Sequence, residues 1–250
     1  MQRMNKLVWE QNFLASNTDL KLWNIRHGND LLDNNGNPID PGWGNGEQQY
    51  YTDHSSNLYI DEFGLNLCAR SESIEKDGRH FGYTSARLDT KDRFSFCYGK
   101  LVVRARLPLG QGIWPAIWLL PQEQVYGHWP ASGEIDIMEA KGRLPQQISG
   151  TLHYGKDWEH QIVEEFSYQF ENGTINEFRD YALEWDASSI RWLVDGHCFA
   201  ERRQEPGVMP FDEPFYLVLN LAVGGWYDNV AVDESALPAI MTVSGIWLYQ

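Results

Sequence analysis

Short runs of β-branched and aromatic residues, bounded by Gly, Asn, Asp or Pro, recur along the whole 250-residue chain, and no segment carries a long amphipathic helical period. Lys100 to Leu107 sets Val103, Ala105 and Leu107 against Arg104 and Arg106, the alternation of a half-buried strand. Ile190 to Val194, then Asp195-Gly196, then His197 to Ala200 reads as a hairpin closed by a tight turn. Pro214 to Val223 is long and largely apolar, which suits a central strand buried on both faces. No repeat, low-complexity tract or Ser/Pro linker interrupts the pattern. The expectation is one domain over residues 1–250, all-β, built as an antiparallel β-sandwich.

Charge narrows the partners. A formal net charge of −15 opposes phosphate-backbone binding, which relies on clustered Lys and Arg, and equally disfavours sulfated polymers. No apolar run approaches the roughly 18 residues a membrane helix needs. The start, Met1 to Trp9, has basic residues without the apolar stretch of an export leader, so none is expected within this chain. Cys68, Cys97 and Cys198 show no paired spacing and read as buried free thiols. Eleven tryptophans are a heavy load, and Trp43, Trp114, Trp129, Trp158 and Trp226 lie beside turns or in polar segments. Indole faces pack against the C–H faces of sugar rings, and the N–H can bond a hydroxyl. Trp114, Trp118 and Trp129 are the stronger candidates because they precede an unusual acidic segment.

That segment is Glu134-Ile135-Asp136-Ile137-Met138-Glu139. Strand alternation puts Glu134 and Asp136 on one face, but Glu139, five positions after Glu134, has the wrong parity. Either a glutamate is buried in the core, or a β-bulge near Met138 returns Glu139 to the acidic face, and the bulge costs less. Three carboxylates on one face repel each other and raise the pKa of at least one. Glycoside hydrolysis uses such a set: one ionised carboxylate attacks the anomeric carbon, and one protonated acid serves the leaving oxygen. A solvated acidic face or a divalent cation site remains the alternative from spacing alone. With the bulge, the two glutamate Cα atoms stand about 13 Å apart at roughly 3.3 Å per residue, so their side chains must converge.

Taken together, these residues resemble the laminarinase-like branch of glycoside hydrolase family 16. Its Glu-x-Asp-x-x-Glu signature matches Glu134 to Glu139, preceded by the typical Trp129-Pro130-Ala131-Ser132-Gly133. Further matches run in order: Trp43 to Thr52, Tyr83 to Leu88, Gly112 to Pro121, Thr151 to Tyr154 and Asn220 to Gly225. The resemblance implies a β-jelly-roll with a concave cleft, and retaining endo-hydrolysis of β-1,3 bonds in a neutral, laminarin-type or mixed-linkage β-glucan. It implies Glu134 as nucleophile, Asp136 as its supporting acid and Glu139 as acid/base. Trp118 and Trp129 would form the sugar platform, with Asn45, Arg87, Trp114, His153, Asn220 and Trp226 as further contacts. A polymeric substrate implies an extracellular or periplasmic setting, and a monomer is expected.

Departures matter as well. Many members carry a structural calcium held by an acid in the first strand and an aspartate in the last. Here Asn12 and Ser244 stand at those positions, so calcium is not expected and no cofactor is required. A noncatalytic glucan-binding protein on the same scaffold would be expected to lose the glutamates, and this chain has all three acids. The same chemistry on agarose or carrageenan is the other alternative. No His-Glu-x-x-His, phosphate loop or Gly-x-Ser-x-Gly elbow suggests another enzyme class.

Overall fold

The computed structural model describes residues 6–14, 18–33, 37–76 and 78–250; the start of the chain up to Asn5, read above for a leader, lies outside them. Nineteen strands run in chain order among the described residues. They are β1 (Leu7–Asn12), β2 (Asn24–Ile25), β3 (Asp30–Leu32), β4 (Pro38–Pro41), β5 (Gln49–Tyr51), β6 (Leu58–Asp61) and β7 (Gly64–Lys76). Then follow β8 (Arg79–Ser85), β9 (Arg87–Asp89), β10 (Gly99–Arg106), β11 (Ile113–Pro121), β12 (Glu134–Glu139) and β13 (Gln147–Gly155). The last six are β14 (Gln161–Gln169), β15 (Arg179–Trp185), β16 (Ser189–Val194), β17 (His197–Arg203), β18 (Phe215–Val223) and β19 (Ala239–Tyr249). The helices described are three single 3-10 turns, at Gly42–Gly44, Trp158–His160 and Glu234–Ala236.

Two sheets enclose the core. One follows the order β17-β16-β15-β10-β19-β7-β8-β5, with β1 against β19 and β6 against β7; the other runs β14-β13-β12-β11-β18-β9-β2. The expected antiparallel sandwich is present, with one parallel pair, β5 with β8. Leu101, Val103 and Ala105 of β10 face the core, while Arg104 points to solvent and pairs with Asp180. Asp195 and Gly196 join β16 to β17 with φ of 49° and 78°, as a two-residue hairpin turn requires. All nine residues of β18 are buried, between β11 and β9. The cysteines are free, but only Cys68 is buried; Cys97 and Cys198 sit half-buried at strand ends, a correction to the expectation of three buried thiols.

The expected bulge lies within β12. Asp136 pairs with Thr151 and Glu139 with Ser149, so Ile137 and Met138 together face Gly150. Ile135, Ile137 and Met138 are then all in the core, and Glu139 returns to the side of Glu134 and Asp136. Trp192, buried in the facing sheet, donates its indole N–H to the Asp136 carbonyl at 2.8 Å. Gly150 makes this approach possible, because a Cβ there would fall 2.3 Å from Trp192 Cδ1. Gly150→Ala should therefore destabilise the protein by about 1–3 kcal/mol through overpacking. It should also disturb the acidic face of β12 beyond what the lost stability explains, since Trp192 must leave the bulge. Thermal denaturation alongside activity on the folded fraction tests this, and a neutral variant would contradict the account.

Candidate active site

Cross-strand register builds the cleft floor. On β11, Ile113, Ile117 and Leu119 face the core, which leaves Trp114, Ala116 and Trp118 on the opposite face. Glu139 pairs with Ala116, Ala116 with Asn220, and Asn220 with Arg87, one row across β12, β11, β18 and β9. At about 4.8 Å per strand this row is roughly 14 Å wide. A neighbouring row joins Thr151, Asp136, Trp118 and Val218, and Glu134 pairs with His153 on β13. The small side chain of Ala116 leaves room between Glu139 and Asn220.

Each acid has its own partners. Glu134 Oε2 accepts the Trp129 indole N–H at 2.8 Å, and Oε1 lies 3.9 Å from His153 Nε2. Asp136 Oδ2 lies 3.2 Å from the same Nε2, so Asp136 reaches Glu134 through the imidazole. Glu139 Oε1 accepts the Trp114 N–H at 3.0 Å, and Thr151 donates to Oε2 over a long 3.4 Å. Trp114 is itself stacked on Tyr227, centroids 5.1 Å apart, and the Tyr227 hydroxyl meets that of Ser149 at 2.7 Å.

Burial, and next the charge of Asp136, push the Glu134 carboxyl up to about 7, against the His153 charge and the Trp129 bond. The same two causes hold Glu139 well above the usual carboxylate range. Burial by itself would lower His153, but the bond to Asp136 and the three surrounding carboxylates raise it to about 10. Glu134, Asp136 and His153 present ligand atoms within 4.8 Å of one another. The ring's nitrogens are already engaged within the protein, Nε2 lying 3.2 Å from Asp136 Oδ2 and Nδ1 meeting Gln161 Nε2 at 2.9 Å. The calcium positions fit no better: Asn12 Oδ1 accepts the Leu14 N–H, the Ser244 hydroxyl points at the Arg104 carbonyl, and neither supplies a carboxylate.

The second half of the cleft is held by residues that sequence reasoning missed. Glu47 is buried and accepts from Asn45 Nδ2 (3.2 Å), Gln49 Nε2 (2.6 Å) and the Tyr51 hydroxyl (2.8 Å). Burial raises its pKa, while the nearby Arg87 charge and these three bonds lower it. Tyr51 accepts from Asn220 Nδ2 at 3.1 Å, and Asn220 Oδ1 accepts the Trp118 N–H at 2.7 Å. The Arg87 guanidinium lies 4.2 Å from the Trp43 ring and 4.8 Å from that of Trp118, and its buried Nε has no hydrogen-bond partner. Arg87 is thus no surface ion pair. Glu47 lies inside the Trp43 to Thr52 segment, but a lone glutamate beside two glutamines gives no sign in sequence that it is buried. Trp226 rests on Gly46 and donates its backbone N–H to the Asn45 carbonyl, leaving the indole 62% exposed.

Trp114 and Trp129 each donate an indole N–H to one of the clustered carboxylates, and Trp118 stands in the row beside them. The profile of glycosyl hydrolases family 16 matches residues 35–237, and the chain belongs to that family. It is 40% identical to glucan endo-1,3-beta-glucosidase A1 of Niallia circulans, over 98% of this chain and 38% of that protein. It is 42% identical to a beta-glucanase of Rhodothermus marinus, over 84% of this chain and 76% of that protein. The laminarinase catalytic domain from Thermotoga maritima MSB8 superposes with a TM-score of 0.86 at 36% identity, covering 98% of both chains. This chain therefore spans well under half of the N. circulans relative.

Two outcomes follow from these contacts. His153→Gln removes a cation that lowers both glutamates, so the acid limb of the pH–rate profile should move up by about one unit, with KM little changed. An unmoved limb would show that the imidazole is not felt at Glu134. Glu47→Gln turns one acceptor into a donor facing donors and should loosen Trp118 through Tyr51 and Asn220. The expected result is KM raised about tenfold with kcat changed far less, and equal losses in both would break the link.

Proposed function

We propose that this chain is the catalytic unit of a retaining endo-β-1,3-glucanase acting on neutral, laminarin-type β-glucan, with mixed-linkage glucan as a second substrate. The observation that carries the reading is the bulge at Ile137–Met138, which returns Glu139 to the face of Glu134, with an indole N–H on each. In the first step the ionised Glu134 attacks the anomeric carbon while Glu139 protonates the departing glycosidic oxygen. The glycosyl–Glu134 ester forms as the C–O bond breaks. Glu139, now ionised, then takes a proton from water, which attacks the same carbon and releases Glu134. Asp136 holds the His153 ring beside Glu134, where the imidazole charge favours ionised Glu134 against the opposing charge of Asp136 itself. Trp118 and Trp129 support sugar faces, Trp114 orients Glu139, and Arg87, Asn45, Asn220 and Trp226 supply contacts on the β18 side. Net charge supports a neutral polymer.

The same reading takes residues 1–250 as one catalytic domain, monomeric, without a required cofactor, working where polymeric glucan is met, outside the cell or in the periplasm.

Product profiling on laminarin, mixed-linkage glucan, agarose and carrageenan tests the substrate. Short oligosaccharides from laminarin are expected, and cleavage of agarose or carrageenan instead would overturn the specificity. Glu134→Ala should lower turnover by something on the order of 10⁴-fold. Azide should rescue it as the α-glycosyl azide, whereas a β product would reverse the roles of the two glutamates. In the unmodified enzyme, kcat/KM should fall as pH drops through about 7, where Glu134 takes up a proton. It should fall again at higher pH, where Glu139, held well above the usual carboxylate range, loses its own.

A further inference from the structure

Trp158 lies outside every role assigned above. It is 61% exposed, in the 3-10 turn between β13 and β14. An exposed indole on a floppy loop would mean little, but this turn is pinned. Asp157 Oδ1 accepts the His160 backbone N–H at 3.0 Å and meets His160 Nδ1 at 2.6 Å. At Gly155, φ is +126° and a Cβ would fall 2.3 Å from the His160 carbonyl oxygen, so the loop folds directly back over the strand end. The chain holds a large apolar surface rigidly in water, where burial would be favourable.

The position relates it to the reacting bond. The Trp158 ring lies 5.1 Å from that of Trp129, tilted by 44°, and Trp129 both holds Glu134 and sits 6.1 Å from His153. Aromatic surface therefore runs without a break from the carboxylate to the β13–β14 edge of the cleft. There Val163, paired with His153 and 53% exposed, continues the apolar strip on the same face of the sheet. Glu159 and Glu165 stand near this edge, beside Lys156 and the Asp157–His160 pair, and offer acceptors. A flat apolar ring, a rim of acceptors and continuity with Trp129 fit the C–H face and hydroxyls of a neutral sugar.

We propose that Trp158 forms an outer glucosyl subsite at the β13–β14 edge, binding the same glucan chain one or more units beyond the sugar seated on Trp129. This rests on the glucanase reading. The subsite adds binding energy for chains long enough to reach it and none for shorter ones, so it sets where along a chain the enzyme cuts.

The test compares wild type, Trp158→Ala and Trp158→Tyr on end-labelled β-1,3-glucan oligosaccharides of increasing length. The alanine variant should match wild type on the shortest cleaved oligosaccharide and lose about three- to thirtyfold in kcat/KM on long ones. Its cut positions should shift along the labelled chain, and tyrosine should restore most of the loss. Equal rates and cut positions at every length, with wild type active, would remove the subsite and leave the glucanase reading standing. Wild type inert on every β-1,3-glucan would remove both. A concentration-dependent dimer that the alanine variant abolishes, with unchanged length dependence, would give the indole to a second copy of the chain and overturn the proposal.

Discussion

A β-strand alternates its side chains, so glutamates five positions apart belong on opposite faces unless the backbone gains a residue. In β12 the extra residue falls at Ile137–Met138, and it is stabilised from the far side of the core by the Trp192 N–H on the Asp136 carbonyl. That bond needs a glycine at position 150, since any Cβ there would occupy the indole's place. Glu139, Trp192 and Gly150 thus depend on one another although they lie on three strands of two sheets. Without the bulge, Glu139 would point into the aliphatic core, where burying a carboxylate without partners is strongly unfavourable.

Placing the acids together has an energetic cost that the surrounding groups offset only in part. The indole N–H groups of Trp114 and Trp129 and the His153 cation favour the ionised glutamates, yet burial and Asp136 outweigh them. A carboxyl whose folded pKa stands at about 7, above its ordinary value of 4.5, adds nothing unfavourable below the lower number. It opposes folding increasingly as pH rises between the two, because the unfolded chain ionises first. The elevation is therefore destabilising at neutral pH. What it provides is two neighbouring carboxyls whose pKa values both stand above the ordinary range, raised by burial and by Asp136.

The two halves of the cleft differ in how far the sequence reveals them. Glu134, Asp136 and Glu139 occupy one short segment, so the shared face of the first two follows from parity, and the bulge from parity together with the cost of burying a glutamate. The tight hairpin at Asp195-Gly196 and the buried β18 are legible for the same reason, since local chemistry dictates them. The Trp118 side is different. Glu47, Tyr51, Arg87, Trp118 and Asn220 span 173 positions of the chain and meet only because β9, β11 and β18 are neighbours, with the β4–β5 connection carrying Glu47 beside Asn220. No periodicity within any one segment encodes such a meeting. His153 lies between these cases: its strand position opposite Glu134 follows from pairing, but its seat between two carboxylates requires the register of β12 and β13.

This division bears on how the cleft works as a unit. The three clustered acids are fixed by backbone register, which changes only if a strand slips. The Trp118 platform is fixed by a chain of side-chain hydrogen bonds ending on a buried carboxylate, and each bond there is individually replaceable. Substitutions around Glu47 can therefore shift Trp118 while leaving Glu134 and Glu139 in place. Arg87 ties the two together, because its charge lies between the rings of Trp43 and Trp118, lowers the pKa of Glu47 and acts on Glu134 in the same direction. With Glu47 ionised, part of that positive charge is neutralised locally; with Glu47 protonated, more of it is available to Glu134. The Trp118 network and the acidic strand are thus electrostatically coupled through one guanidinium, even though the sequence encodes them in segments far apart.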